Sequence, residues 1–329
     1  MRLSDIQESL SNDAVRQLAD SSIFLGITSY GPVPYSFQGT VSGYTSGGNP
    51  QSNVIDKFSF TVDANASDVG DLTVIQESSA GQSSSENGYT SGNSPVSVID
   101  KFPFATDANA SDVGDLTVAR NYAAGQSSST YGYTSGGSPS TNVIDKFSFS
   151  ADGNASDVGD LTVARYGPAG QSSTTHGYSS GGVPPVSNVI DKFPFAADAN
   201  ASDVGDLTVG RYFNAGQSSE THGYTSGGSI ISSPPATNVS DVIDKFSFAS
   251  DGNASDVGDI LFADLAGYPG KTGAAGQSST TYGYISGGRG DFSNAAETSI
   301  QKFPFASNTN TSEVSDLTVA RSYAAGQQY

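Results

Sequence analysis

The chain reads as an all-β protein: a six-bladed β-propeller with a short helix-containing N-terminal extension. Three observations point there. A Gly-Tyr pair recurs at Gly43-Tyr44, Gly88-Tyr89, Gly132-Tyr133, Gly177-Tyr178, Gly223-Tyr224 and Gly283-Tyr284, at spacings of 45, 44, 45, 46 and 60 residues. A period of this size marks one supersecondary unit repeated, and for strand-rich units a propeller or solenoid. Each copy also carries a period-two apolar run, such as residues 143–149 (VIDKFSF), which reads as a strand. The third observation is composition: 39 Gly, 17 Phe, 16 Tyr and no Cys or Trp, which suits tight turns and repeated aromatic packing rather than disorder.

The third copy shows how one unit is built. Residues 126–135 (QSSSTYGYTS) lead into Gly136-Gly137, and they supply either two strands or one long bent strand. A variable stretch, 138–142, precedes the 143–149 strand. Residues 152–157 (DGNASD) form a turn cluster, and 161–165 (LTVAR) read as the last strand. Ala169-Gly170-Gln171 opens the next unit. The result is a four-stranded antiparallel meander of about 45 residues, too small for a core of its own. Alternation sends Val143, Asp145, Phe147 and Phe149 to one side, and Ile144, Lys146 and Ser148 to the other. Both faces must therefore be buried against neighbours. Arg165 and its equivalents Arg120, Arg211 and Arg321 are placed to pair with the mid-strand Asp, as a blade-to-blade ladder that sets registry.

The Gly-Gly after a Tyr-bearing strand, the Ile-Asp-Lys-Phe strand and the following Arg resemble kelch repeats, over roughly residues 39–327. A kelch unit forms one four-stranded propeller blade. This chain departs at the last strand, where kelch units carry a Trp and Leu161-Thr162-Val163 stands here. The wording "GYTSGG…VIDKFSF…DANASDVGDLTVAR…AGQSS" is also similar to repeat proteins of marine bacteriophages, cyanophages included. That likeness implies a virion-associated protein.

Ring closure follows from the ends of the repeat. The first copy lacks the Ala-Gly-Gln found in the others, and the chain ends with Ala325-Gly326-Gln327. The C-terminus is expected to complete blade one and remove the sheet edges. The expected domains are thus residues 1–36, an extension, and 37–329, the propeller. In the extension Leu3, Ile6, Leu10, Val15 and Leu18 recur at helical spacing, and Ser4 with Gln7 has capping-box spacing. This helix would fold back on the ring or anchor it to another virion or surface protein.

In an antiparallel meander, the loops from strand two to three and from strand four to the next blade share one face. The long departures from the repeat, 229–241 and 263–273, fall on that face, as does Arg289-Gly290-Asp291. Ile230, Ile231, Pro234, Pro235, Tyr268, Arg289 and Asp291 are the candidate partner-binding residues, since function concentrates in loops on a rigid scaffold. As a lone tripeptide, Arg-Gly-Asp is weak evidence for an integrin-type motif.

The opposite face carries acidic hairpins. Fifteen Asp in five loops, with Glu313 and Asp316 in the sixth, hold about half of the 33 acidic residues. The Asp-x-Asn-x-Ser pattern at Asp63, Asn65 and Ser67 recurs at Asp107 and Asn109, Asp152 and Asn154, Asp198 and Asn200, and Asp251 and Asn253. It allows two readings: Ca²⁺ loops lacking the downstream bidentate Glu of an EF-hand, or Asx-turns with no cofactor. The Asn-x-Ser triplets would be glycosylation acceptors only on a eukaryotic secretory route.

A formal net charge of −19 disfavours nucleic acid and anionic lipid as partners. No run approaches the ~20 apolar residues of a membrane span, and no signal-peptide pattern stands at the N-terminus. The expected location is a phage particle, or otherwise the extracellular space or a soluble prokaryotic compartment. His176 and His222 occupy a repeat position filled elsewhere by Tyr131 and Tyr282, so neither reads as a general base. With no nucleophile elbow or phosphate loop, the chain is not expected to be an enzyme. Two functions stand: a structural or binding virion protein, in a capsid decoration or tail position, and a carbohydrate-binding adhesion module whose Tyr residues stack on sugars.

Overall fold

In the computed structural model the described residues are 38–230, 239–261, 270–290 and 295–329. Residues 36–329 form one compact unit. The expected helix with Leu3, Ile6, Leu10, Val15 and Leu18 lies outside the described residues.

Six four-stranded antiparallel sheets follow one another along the chain. In the third blade the strands are Ala124–Ser127, Tyr131–Ser135, Thr141–Ser148 and Ser156–Arg165. Two strands, rather than one bent strand, thus precede the third. Ser128 makes the break, its Oγ accepting the N–H groups of Thr130 and Tyr131. The outer strand also corrects the sequence reading, because it begins at Ser156 and not at Leu161. Its acidic residues pair directly with the third strand, Lys146 opposite Ser156 and Asp145 opposite Asp157. In four blades the outer strand ends at the last Asp of the Ser-Asp-Val-Gly-Asp or Ser-Glu-Val-Ser-Asp run. An outermost strand has one solvated face, so carboxylates suit it as well as a turn.

The first blade is closed from the far end of the chain. Ala325–Gln328 pairs antiparallel with Ser42–Ser46, with Gly43 opposite Gln328 and Ser46 opposite Ala325. The inner strands of successive blades then meet in a closed circuit. Glycine permits this contact. A Cβ on Gly125 would lie 2.1 Å from the carbonyl oxygen of Gly81, and the same holds at 2.2 Å for Gly81, Gly170, Gly216, Gly276 and Gly326 against the glycine one blade back. The next residue, Gln, ties each blade to the following one. Gln82, Gln126, Gln171, Gln217, Gln277 and Gln327 donate to the Tyr carbonyls of Tyr133, Tyr178, Tyr224, Tyr284, Tyr44 and Tyr89, at 2.9–3.1 Å.

Apolar packing also lies between blades. Tyr89, Ile99 and Leu116 of the second blade form one buried cluster with Phe147 of the third, and the arrangement repeats around the ring. The Gly of each Gly-Tyr pair is a consequence. A Cβ at Gly132 would stand 2.3 Å from the Phe147 ring on the neighbouring strand, so the aromatic lies flat on bare backbone.

The Arg–Asp ladder runs between blades, as expected from the sequence. Arg120 pairs with Asp145 at 3.1 Å, Arg165 with Asp191 at 2.9 Å, Arg211 with Asp244 at 3.1 Å and Arg321 with Asp56 at 2.6 Å. All eight side chains are buried. Thr117 completes the set at Asp145 with its N–H and hydroxyl. Burial pushes these arginines below the usual guanidinium range, and the facing carboxylates oppose that shift.

Two junctions break the pattern. Between blades one and two, Gln76 replaces Arg and donates to Asp100 at 2.8 Å. Lacking the cation, Asp100 has its pKa raised by burial. The second glycine of the Gly-Gly pair is also Asn93 there. Elsewhere that glycine bears on the Arg: a Cβ on Gly137 would lie 2.8 Å from Arg120 Cδ. A shorter Gln therefore admits a side chain at position 93. Between blades five and six, Lys271 and Gln301 replace Arg and Asp. Lys271 turns to Glu297 at 3.6 Å, and Thr311 donates to Gln301 at 2.7 Å.

Deleting residues 324–329 removes the inner strand of blade one. The expected result is a lower, broader thermal transition with early hydrogen exchange in Ser42–Ser46; an unchanged melt would contradict closure by this strand. Gln76→Arg combined with Asn93→Gly should stabilise the fold at pH 7 by about 1.5–3 kcal/mol, the range for a charged hydrogen bond. The sign follows from Asp100. A raised folded pKa contributes stability that is fully present below the unfolded value near 4 and is lost as pH rises through the folded value. Denaturation of both proteins should thus show a gain at neutral pH that shrinks toward pH 4, and Gln76→Arg alone should gain less because Asn93 obstructs it.

Candidate functional site

The acidic face is committed to blade-to-blade stitching. The first Asp of each hairpin meets the Lys of the preceding blade: Lys57–Asp107, Lys101–Asp152, Lys146–Asp198, Lys192–Asp251 and Lys302–Asp63, at 2.5–3.0 Å. Every Asn Oδ1 accepts a backbone N–H from the blade before it, as Asn109 does from Asp71 and Asn154 from Asp115, and likewise at Asn65, Asn200, Asn253 and Asn310, at 3.0–3.2 Å. The next Asp accepts from the glycine two residues on, as in Asp68 with Gly70. Asp68 and its equivalents thus form Asx-turns, while the first Asp and the Asn bond across to the preceding blade. Among the described residues, no three His, Cys, Asp or Glu side chains converge as a metal site requires. The first Asp and the Asn of each loop, such as Asp63 and Asn65, thus make contacts between blades.

On the opposite face, the segment joining each outer strand to the next inner strand crosses near the axis. One residue from each crossing has left-handed backbone: Ser78, Tyr122, Gly167, Phe213, Gly273 and Tyr323, with φ between 55° and 70°. Their peptide groups bond head to tail. Tyr122 N–H donates to Ser78 C=O at 2.6 Å, Gly167 to Tyr122 at 2.7 Å, Phe213 to Gly167 at 2.7 Å, Gly273 to Phe213 at 2.9 Å, Tyr323 to Gly273 at 2.5 Å, and Ser78 to Tyr323 at 2.7 Å. This six-membered ring of hydrogen bonds encircles the mouth.

Side-chain size alternates around it. Tyr122, Phe213 and Tyr323 are large, whereas Ser78, Gly167 and Gly273 are small. The small positions make room: a Cβ on Gly167 would fall 2.7 Å from the Phe213 ring, and one on Gly273 2.7 Å from Tyr323. The three aromatics meet in a triangle, with ring centroids 4.8 Å apart for Tyr122–Phe213, 5.0 Å for Phe213–Tyr323 and 5.5 Å for Tyr122–Tyr323. Tyr166 and Tyr212 extend the platform against Phe213. All five rings are half-buried. A left-handed backbone costs a non-glycine residue about 1–2 kcal/mol, so Tyr and Phe occupy these positions despite their conformational preference, and such strain points to function.

Below the platform lies a cavity of ≈ 80 Å³, bordered by Ser78, Tyr122, Pro168, Phe213, Asn214 and Tyr323. Asn214 is buried at its edge, its amide nitrogen donating to Ser180 C=O at 3.2 Å and its Oδ1 lying against Gly228. Arg289 lies beside it, its guanidinium 4.8 Å from the Tyr323 ring centroid and donating to the Tyr323 hydroxyl. Burial raises the Tyr323 phenol to about 12, with Arg289 opposing the shift. Backbone bridges Tyr212–Ser229 and Thr272–Arg289 tie the bases of the long loops to this mouth.

Of the sequence-derived candidates, Arg289 reaches the aromatic mouth, and Ile230 stands half-buried just after Ser229. Ile231, Pro234, Pro235, Tyr268 and Asp291 lie outside the described residues. His176 and His222 open second strands, each bonded through Nδ1 to the preceding Thr; burial lowers both pKa values. The aromatic ring itself escaped the sequence reading. Its signal was available as the Tyr, Gly, Phe, Gly, Tyr alternation two residues after each Arg or Lys, in segments that read as connectors.

This architecture is that of a six-bladed β-propeller. The solved structure of YjhT aligns with it at a TM-score of 0.61, over 77% of this chain and 88% of that one, with 14% sequence identity. Such a likeness speaks for the fold alone. No protein-family model matches the chain, and no curated protein matches it.

Ser78→Gly tests the strained ring. Glycine keeps the left-handed turn at no steric cost, so the variant should gain up to about 1 kcal/mol. Ser78→Ala, which keeps the strain, should not. Chemical denaturation of the two variants beside the parent protein measures the difference.

Proposed function

We propose that this protein is a non-catalytic attachment module, a rigid propeller whose loop face binds saccharide through the axial aromatic mouth. One observation carries this reading. The repeated polar residues stitch blades together, whereas Tyr122, Phe213, Tyr323 and Arg289 break the repeat and converge on one mouth. Flat, half-buried aromatic faces suit the apolar C–H faces of sugar rings, and a polar group beside them, the Arg289 guanidinium, suits their oxygens. A binding role also accords with the fold.

The setting we propose is a bacteriophage particle, with the protein in a capsid decoration or tail position and residues 1–36 as the attachment segment. Support for that setting is the likeness of the repeat wording to marine phage proteins. A free adhesion module with the same binding face is the second reading. Gene neighbourhood separates them: adjacency to capsid or tail genes supports the particle, and adjacency to sugar-transport genes counts against it.

Binding is tested on a glycan array with the full chain, followed by titration calorimetry. Tyr122→Gly keeps the backbone turn and removes the ring. It should weaken glycan binding roughly tenfold, the equivalent of the 1.4 kcal/mol typical of an aromatic contact. An array without hits, or affinity indifferent to Tyr122→Gly, would overturn the reading.

A further inference from the structure

We infer that Arg289 makes the axial mouth selective for acidic saccharides, those bearing a carboxylate or a sulfate. This rests on the saccharide-binding reading and adds the ligand's charge class.

The first ground is the use of cations in this chain. Of the described Lys and Arg residues, all but two lie within ion-pair distance of a carboxylate. The exceptions among the described residues are Lys245 and Arg289. Lys245 keeps the repeat register, and Asn308 stands where its Asp partner would be. Arg289 has no counterpart in the repeat: Asn49, Ser94, Ser138, Val183 and Ser229 hold that position in the other blades. The mouth thus holds a guanidinium that pairs with no carboxylate among the described residues, against a net charge of −19. A field of that sign repels acidic ligands, and a dedicated cation at the point of contact offsets the repulsion locally.

The second ground is geometry. The Arg289 backbone is fixed by two hydrogen bonds with Thr272, each of 3.0 Å. Its guanidinium stacks near the Tyr323 ring and spends one Nη on the Tyr323 hydroxyl. A guanidinium has five N–H donors in a planar fork. The remaining edge suits two-point binding of a carboxylate or sulfate, which a Lys would not reproduce. Because Tyr323 is also a wall of the cavity, an acid group on Arg289 would set the attached sugar ring over the aromatic triangle. A nucleic acid does not fit, since a single cation cannot balance a phosphate backbone on so acidic a protein.

The test uses the full chain on an array of neutral, uronate-bearing and sulfated oligosaccharides, with calorimetry on the hits. Acidic glycans should bind at least roughly tenfold more tightly than neutral glycans of the same backbone. The uronate and sulfate arms identify which acid group is read. Arg289→Gln should abolish that preference by weakening acidic glycans far more than neutral ones, and Arg289→Lys should restore only part of it. Unchanged thermal melting of both variants would show that the ring is intact. Equal binding of neutral and acidic glycans would overturn the charge selection and leave saccharide binding standing. An acid preference that survives in Arg289→Gln would remove Arg289 from the role. Absence of any glycan binding would overturn both readings.

Discussion

The inner strands touch backbone to backbone around the axis, and the rest of the molecule is built outward from that contact. A side chain as small as a methyl group at Gly81, Gly125 or Gly170 would collide with the carbonyl one blade back. Each blade is too small to bury a core, so its Tyr, Ile and Leu close over the Phe of the next blade. The Gln ladder, the Arg–Asp pairs and the Asn staples all cross the same junctions. A chain built this way has no independent blades, and its stability belongs to the closed ring.

Buried Arg–Asp pairs set registry more than they add stability, because desolvation offsets much of the attraction. The two exceptional junctions agree with that view. Where Gln76 replaces Arg, the adjoining glycine becomes Asn93, whose amide bonds to Ile75 C=O at 2.9 Å. Where Lys271 replaces Arg, the facing Asp is Gln301, and Thr311 links Gln301 to the Leu261 N–H. Substitutions at these junctions come in groups, since a charge or a methylene changed on one side must be met on the other. The second junction also adjoins the long departures from the repeat, so the ring is most altered where its loop face is most elaborated.

Strain and asymmetry meet at the axial mouth. A closed ring of peptide hydrogen bonds forces six residues into left-handed backbone, and only two of them are glycine. Large and small side chains alternate because six aromatics would not fit about one axis, whereas three can meet edge to face. An apolar platform and one guanidinium therefore sit together at the centre of a face whose surroundings are repetitive.

The repeat made the blade count, the C-terminal closure and the Arg–Asp ladder legible, because each is a period carried in the residues themselves. Val143 to Phe149 could be read as a strand buried on both sides, and Ala325-Gly326-Gln327 as the missing start of the first blade. Direction was not legible. Arg165 reads as one rung of a ladder between blades, and only the ring shows that the rung runs forward, to Asp191 of the following blade. Nor did the acidic pattern reveal whether it held a cation or a neighbour, since Asx chemistry serves both. The mouth was hidden for the same reason: Ser78, Tyr122, Phe213 and Tyr323 lie far apart in sequence, in segments without strand periodicity. The sequence by itself determined the unit and its number, because period and pattern are local. Tertiary structure alone decided which residues face each other across a junction or gather at the axis, because closing the ring brings together groups that no local pattern relates.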